Sequence, residues 1–143
     1  MKKLLLTVLL SIIVIEQPIG KTISIDQFSI FSEQTLKRLL YMLDIEHPEI
    51  VFVQAKIESG NFKSNIFKEG NNLFGMKVAK QRITTAFGKI RGHASYLSWK
   101  HSVLDYKFMQ DKYGKGKTKE QYFAYLTRYA QDPNYINKIK RIL

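Results

Sequence analysis

The stretch Gln54-Ala-Lys-Ile-Glu-Ser-Gly60 ends an apolar helical run on a single glutamate, Glu58. Pro48 suits a first helical position and Gly60 a helix stop, so the periodicity predicts a helix from Pro48 to Glu58. At roughly 100° per residue, Ile50, Val51, Val53, Gln54, Ala55 and Ile57 share one wide arc. Glu58 falls inside that arc, between Gln54 and Val51, while Glu49, Phe52 and Lys56 lie on the other side. Apolar neighbours and the negative end of the helix dipole both disfavour a carboxylate there. A glutamate held protonated near neutral pH is what a general acid needs to protonate a glycosidic oxygen. From this helix alone a second reading stands: a terminal glutamate turned outward, since perturbed carboxylates also occur in structural pairs.

Other chemistries find no footing. The chain has no cysteine, which excludes a disulfide framework, a thiolate metal site and a cysteine-linked lipid anchor. His47 precedes a proline at a helix start, and His93 and His101 stand eight residues apart across an element boundary. Neither arrangement has metal-ligand spacing, and no nucleophile elbow or phosphate-cradling glycine loop occurs. The expectation is an enzyme with no metal and no cofactor.

The 143 residues suffice for one domain. At 45% hydrophobic and 13% aromatic, the chain can build a core. Its first residues pair Lys2-Lys3 with an uncharged run from Leu4 to Ile15, ended by Pro18 and Gly20. A run of twelve uncharged residues is too short to span a bilayer and fits a signal-peptide core. The expected division is therefore a signal peptide over residues 1–20, with an uncleaved anchor as the alternative, and a catalytic domain over 21–143. The remainder keeps 21 basic and 11 acidic residues, a net charge of +10. That balance suits an anionic partner such as a cell-wall polymer or a membrane surface. Export argues against nucleic acid.

The elements that must hold Glu58 follow from punctuation. Ser32 caps a helix from about Glu33 to Leu43. Residues 61–95 lose helical periodicity and read as a small irregular β lobe, with strands in "RITTAF" and "KIRGHASY" about a turn at Gly88. A helix from Ser98 to Tyr113 follows. Thr118 and Gln121 form a capping box for a helix carrying Tyr122, Phe123, Leu126 and Tyr129. Asp132-Pro133 opens a last helix with Tyr135, Ile136, Ile139 and Ile142. The fold class is α+β, mainly α: helices around a small β lobe.

Three segments, "QAKIESGNFKSNIFKEGNNLFGMK", "RGHASYLSW" and "RYAQDPNY", resemble the glucosaminidase family of peptidoglycan hydrolases, the endo-β-N-acetylglucosaminidases of autolysins and of the flagellar muramidase. The resemblance runs from about residue 48 to residue 140, with the parts in family order. It implies a lysozyme-like fold and cleavage of glycan strands between N-acetylglucosamine and N-acetylmuramic acid. Glu58 matches the family's catalytic acid. Phe74, Tyr96 and Tyr129 match aromatic positions lining the sugar cleft, Asn72 the turn beside it, and Tyr135 either packs or binds. The resemblance further implies peptidoglycan as the partner and a cell-envelope location, periplasmic or extracellular. A monomer is expected, with membrane association only through the N-terminal segment.

One departure stands out. Residues 70–104 contain no Asp or Glu, where a two-carboxylate glycosidase needs a second acid. Glu69 is the candidate if its loop folds over the cleft; Asp105, on a helix beside Tyr106, reads as structural. With neither, a single acid remains, serving either attack by the substrate's own N-acetyl group or the intramolecular attack of a lytic transglycosylase. A catalytically idle wall-binding module is the reading from another class.

Overall fold

A computed structural model describes residues 30–143 and two short flanking strands, β1 (Val14–Glu16) and β2 (Thr22–Ser24). These two pair antiparallel, Val14 opposite Ser24. Most of the expected leader, residues 1–20, lies outside the described residues. Among the described residues no helix is long and apolar enough to cross a membrane.

The helices begin where the cap residues stand. Helix α1 (Glu33–Met42) opens on Ser32, whose Oγ accepts from the Thr35 backbone amide at 3.0 Å while Thr35 Oγ1 accepts from Ser32 N at 2.8 Å. This reciprocal pair satisfies two orphan donors and is worth about 1 kcal/mol. Helix α2 (Pro48–Glu58) starts and stops at the expected residues. Helix α4 (Trp99–Tyr113) ends at Gly114, and α5 (Lys119–Leu126) begins at the Thr118–Gln121 capping box. Helix α6 (Tyr135–Ile142) starts two residues later than the Asp-Pro pair suggests. Asp132 instead accepts the Asn134 amide at 2.8 Å, making a turn ahead of the helix.

Helix α2 lies at the centre. It packs on α1 along one side and on α6 along another, and α1 also reaches α4. Ile50, Val51, Val53 and Ala55 are buried, and so is Phe52, which the wheel sets on the opposite side. There Phe52 packs on Phe62, with the ammonium of Lys37 over its ring at 4.5 Å. Leu36, Leu39, Leu40, Leu43, Leu104 and Ile139 complete the surrounding core. Each such burial contributes roughly 1.5–3 kcal/mol.

The middle lobe departs from expectation in two places. Ser64 accepts the Phe67 amide and caps a short helix, α3 (Asn65–Gly70), within a stretch whose asparagines and glycines mask helical periodicity. The hairpin is also shifted: β3 (Gly88–Ile90) and β4 (His93–Ser95) pair antiparallel with Ile90 opposite His93. Its turn residues are Arg91 and Gly92, both at positive φ (48° and 78°), the pairing that suits a tight hairpin. Gly88 opens a strand rather than a turn, and "RITTAF" is not a strand. Helix α3 packs against both strands.

Candidate active site

Glu58 is the last residue of α2 and lines an open groove of about 1260 Å³. The backbone turns sharply after it: Gly60, Asn61 and Phe62 all have φ near +60°. Left-handed backbone costs a non-glycine residue about 1–2 kcal/mol. The ring of Phe62, packed against Phe31, Phe52 and Phe67, offsets that cost.

Burial pushes the Glu58 carboxyl above its ordinary value of 4.5. A hydrogen bond from Tyr135 and the charge of His93 oppose the shift without reversing it. Tyr135 is buried at the start of α6, and its own phenol is pushed upward by burial and by the adjacent Glu58. Gly75 passes close to the carboxyl. A Cβ built there would stand 3.3 Å from Glu58 Oε2, and its φ of +63° favours glycine. The groove is thus walled by the α2 terminus, the loop at Phe74–Met76, His93 of the hairpin, and the Tyr129–Tyr135 segment.

Of the residues implied by the resemblance, Glu58, Phe74, Tyr129 and Tyr135 come together at this groove. Tyr129 and Tyr135 stack, with centroids 6.4 Å apart and planes 15° from parallel. The Phe74 ring is only 1% exposed and packs on Tyr106 at 4.3 Å, so its surface is spent on the core.

Asn72 and Tyr96 do not line the groove; both are buried in the packing between the loop, the hairpin and α4. Asn72 instead binds the loop to the hairpin. Its Nδ2 donates to the carbonyls of Met76 and Ala94 at 2.9 and 2.8 Å, and its Oδ1 accepts the amides of Phe74 and Met76, each at 3.2 Å. The Tyr96 hydroxyl donates to Asp105 Oδ2 at 2.7 Å. Asp105 also pairs with Arg82, which does line the groove, so the structural reading of Asp105 fits its contacts.

Glu69 is likewise not at the groove. Its carboxylate pairs with Arg91 at the hairpin tip at 3.3 Å, on an exposed face. Arg91 sits in the turn that sequence periodicity misplaces, so this partner could not be foreseen. Besides Glu58, the described acid lining the groove is Asp132. The Lys138 ammonium and the Asn134 amide hold its carboxyl below the ordinary value, in the ionised form.

Sequence reasoning also missed contributors. His93 reaches the groove because the hairpin turns at Arg91-Gly92. Gln54, one helical turn before Glu58, donates to Tyr135 at 3.2 Å. A polar residue amid buried Val51, Val53 and Ala55 was the available signal. Among the described residues no three His, Asp or Glu side chains converge as a metal cradle.

The family model "Mannosyl-glycoprotein endo-beta-N-acetylglucosaminidase" (Glucosaminidase) matches residues 34–143. A curated relative, "Protein bax" of Escherichia coli (strain K12), is 43% identical over 68 residues, covering 48% of this chain and 25% of that protein. The chain therefore spans well under two thirds of that relative's length. A crystal structure of an N-acetylmuramoyl-L-alanine amidase from Staphylococcus aureus superposes at TM-score 0.57 with 25% identity, over 81% of this chain and 40% of that one. A peptidoglycan hydrolase from Sphingomonas sp. A1 superposes at TM-score 0.56 with 24% identity, over 78% and 86%, and supports the fold. The mainly helical, lysozyme-like α+β fold expected from the sequence is the fold found. With the match covering most of its length, the chain belongs to the glucosaminidase family of peptidoglycan hydrolases.

Proposed function

We propose that this protein cleaves the β-1,4 bond between N-acetylglucosamine and N-acetylmuramic acid in peptidoglycan, with Glu58 as general acid. The observation that carries the reading is Glu58's environment: burial pushes the carboxyl above its ordinary value at the groove wall, beside Tyr135. Glu58 donates its proton to the glycosidic oxygen as the bond to the anomeric carbon breaks. Glu69 is turned away and Asp132 is held by Lys138, which favours attack by the substrate's 2-acetamido oxygen on the anomeric carbon. Water then opens the resulting oxazolinium, and the Glu58 carboxylate takes up the proton that the water releases. Asn72 and Tyr96 support the loop and hairpin, while Tyr129 presents an aromatic face to the groove and the buried Tyr135 backs Glu58. The leader directs the chain to the cell envelope, where it works as a monomer.

Mass spectrometry of a peptidoglycan digest tests the reading. Reducing N-acetylglucosamine ends are expected, and they should vanish with Glu58→Gln. Anhydromuramic ends would replace hydrolysis with transglycosylation. Sacculus binding without cleavage, unchanged in Glu58→Gln, would make the domain a wall-binding module.

A further inference from the structure

Behind Glu58 runs a series of buried polar side chains whose hydrogen bonds point one way. Gln110 is pinned to the backbone of Glu46: its Oε1 accepts the amide at 2.8 Å and its Nε2 donates to the carbonyl at 2.9 Å. The same Nε2 donates to the Tyr122 hydroxyl oxygen at 2.9 Å. Tyr122 and Tyr106 share a hydrogen bond of 2.6 Å, and Tyr106 donates its only proton to Gln54 Oε1, also at 2.6 Å. Tyr122 is therefore the donor to Tyr106. With Gln54 Oε1 occupied as acceptor, its Nε2 faces Tyr135 and donates to that oxygen at 3.2 Å. Tyr135 keeps its own proton to donate, and the Glu58 carboxyl is the acidic group beside it at the groove.

We propose that Gln54 is a positioning residue for Glu58, acting through Tyr135. The amide presents an acceptor to Tyr106 and a donor to Tyr135, so the Tyr135 proton has a single direction to point. This rests on reading Glu58 as the acid. Gln54 is fully buried amid Val51, Val53 and Ala55. A hydrophobic residue would fill that place without the cost of burying an amide. The amide is tolerated because both its ends are bonded, and such a series polarises each member in turn. Glu58 is thereby held by a rigid helix pair, α2 and α6, rather than by the mobile rotamers of a surface carboxyl.

The test reads the Glu58 carboxyl directly, by carbon-13 NMR titration, in the parent, Gln54→Met, Tyr135→Phe and the double variant. The Tyr135 hydrogen bond favours the carboxylate, so its loss moves the titration upward. Gln54→Met should move it upward in the parent and no further in the Tyr135→Phe background. In parallel, kcat/KM should fall on the order of 10-fold, mostly in kcat, as a displaced catalytic group gives. A folded Gln54→Met whose Glu58 titrates as in the parent, or shifts equally in both backgrounds, overturns the proposal. Should Gln54→Met not fold, Tyr106→Phe is read by the same titration. It frees the amide to turn over, and an unmoved Glu58 there is equally fatal. A parent that cuts no peptidoglycan would sink the functional reading, while the titration would still decide the geometry.

Discussion

The hydroxyl of Tyr129 donates to the carbonyl of Phe74 at 2.7 Å. Tyr129 lies beyond the end of α5, not on it as periodicity suggests, and this bond ties its segment to the loop carrying Gly75 against Glu58. Its phenol, pushed well above the ordinary value by burial, stays a donor across the working pH range. Tyr129→Phe should cost about 1 kcal/mol in urea unfolding. It should also lower kcat, because the loop is no longer pinned beside the acid. Unchanged kcat would mean that the clamp is structural alone.

Glu58→Gln should reduce peptidoglycan cleavage by roughly 10²–10⁴-fold, the usual contribution of a general acid. The parent's activity should be lost as pH rises through the Glu58 value, and burial places that limb above the ordinary 4.5. A pH profile of kcat/KM with no alkaline limb from a carboxyl would contradict the role.

The same burial makes Glu58 a pH-dependent liability for the fold. Its folded-state pKa is raised, so the native protein binds the proton more tightly than the unfolded chain does. This stabilisation is fully present below the unfolded value of 4.5 and is lost as pH rises through the folded one. Glu58→Gln should therefore melt higher than the parent at pH 7, with the gap closing toward pH 4. Thermal scans at the two pH values measure it; a gap that widens on acidification would refute the assignment.

Gly75→Ala should impair activity more than its size suggests. The left-handed backbone costs an alanine about 1–2 kcal/mol, and the new methyl would meet Glu58 Oε2 at 3.3 Å. Chemical unfolding gives the first effect and kcat the second. An Ala variant with parental kcat would show that Glu58 has room to move.

Asp105→Asn should be the most destabilising of these changes. It leaves Arg82, whose side chain is 8% exposed, without its counter-charge. Breaking a buried pair costs about 3–5 kcal/mol. The Tyr96 hydroxyl loses its anionic acceptor as well. A loss under 1 kcal/mol would place Arg82 in solvent.

The sequence alone determined the caps at Ser32 and Thr118, because a cap is a local match between one side chain and the next few amides, and it determined the start of α2 at Pro48, whose ring presets the first helical turn. It also determined that Glu58 ends a core-facing arc, since helical geometry is set within one element. Family motifs added the reading of that residue as the acid. Tertiary structure decided everything that depends on who meets whom across the fold. The hairpin turns at Arg91-Gly92, not Gly88, because backbone pairing there selects two positive-φ residues over a single glycine. That placement carries His93 into the groove and draws Glu69 away to Arg91. Asn72 and Tyr96, aligned by motif with the cleft, turn inward because Met76, Ala94 and Asp105 need their hydrogen bonds. Gln54 is an ordinary helical residue in one dimension. Only packing α2 against α6 brings its amide to Tyr135, beside Glu58 at the groove.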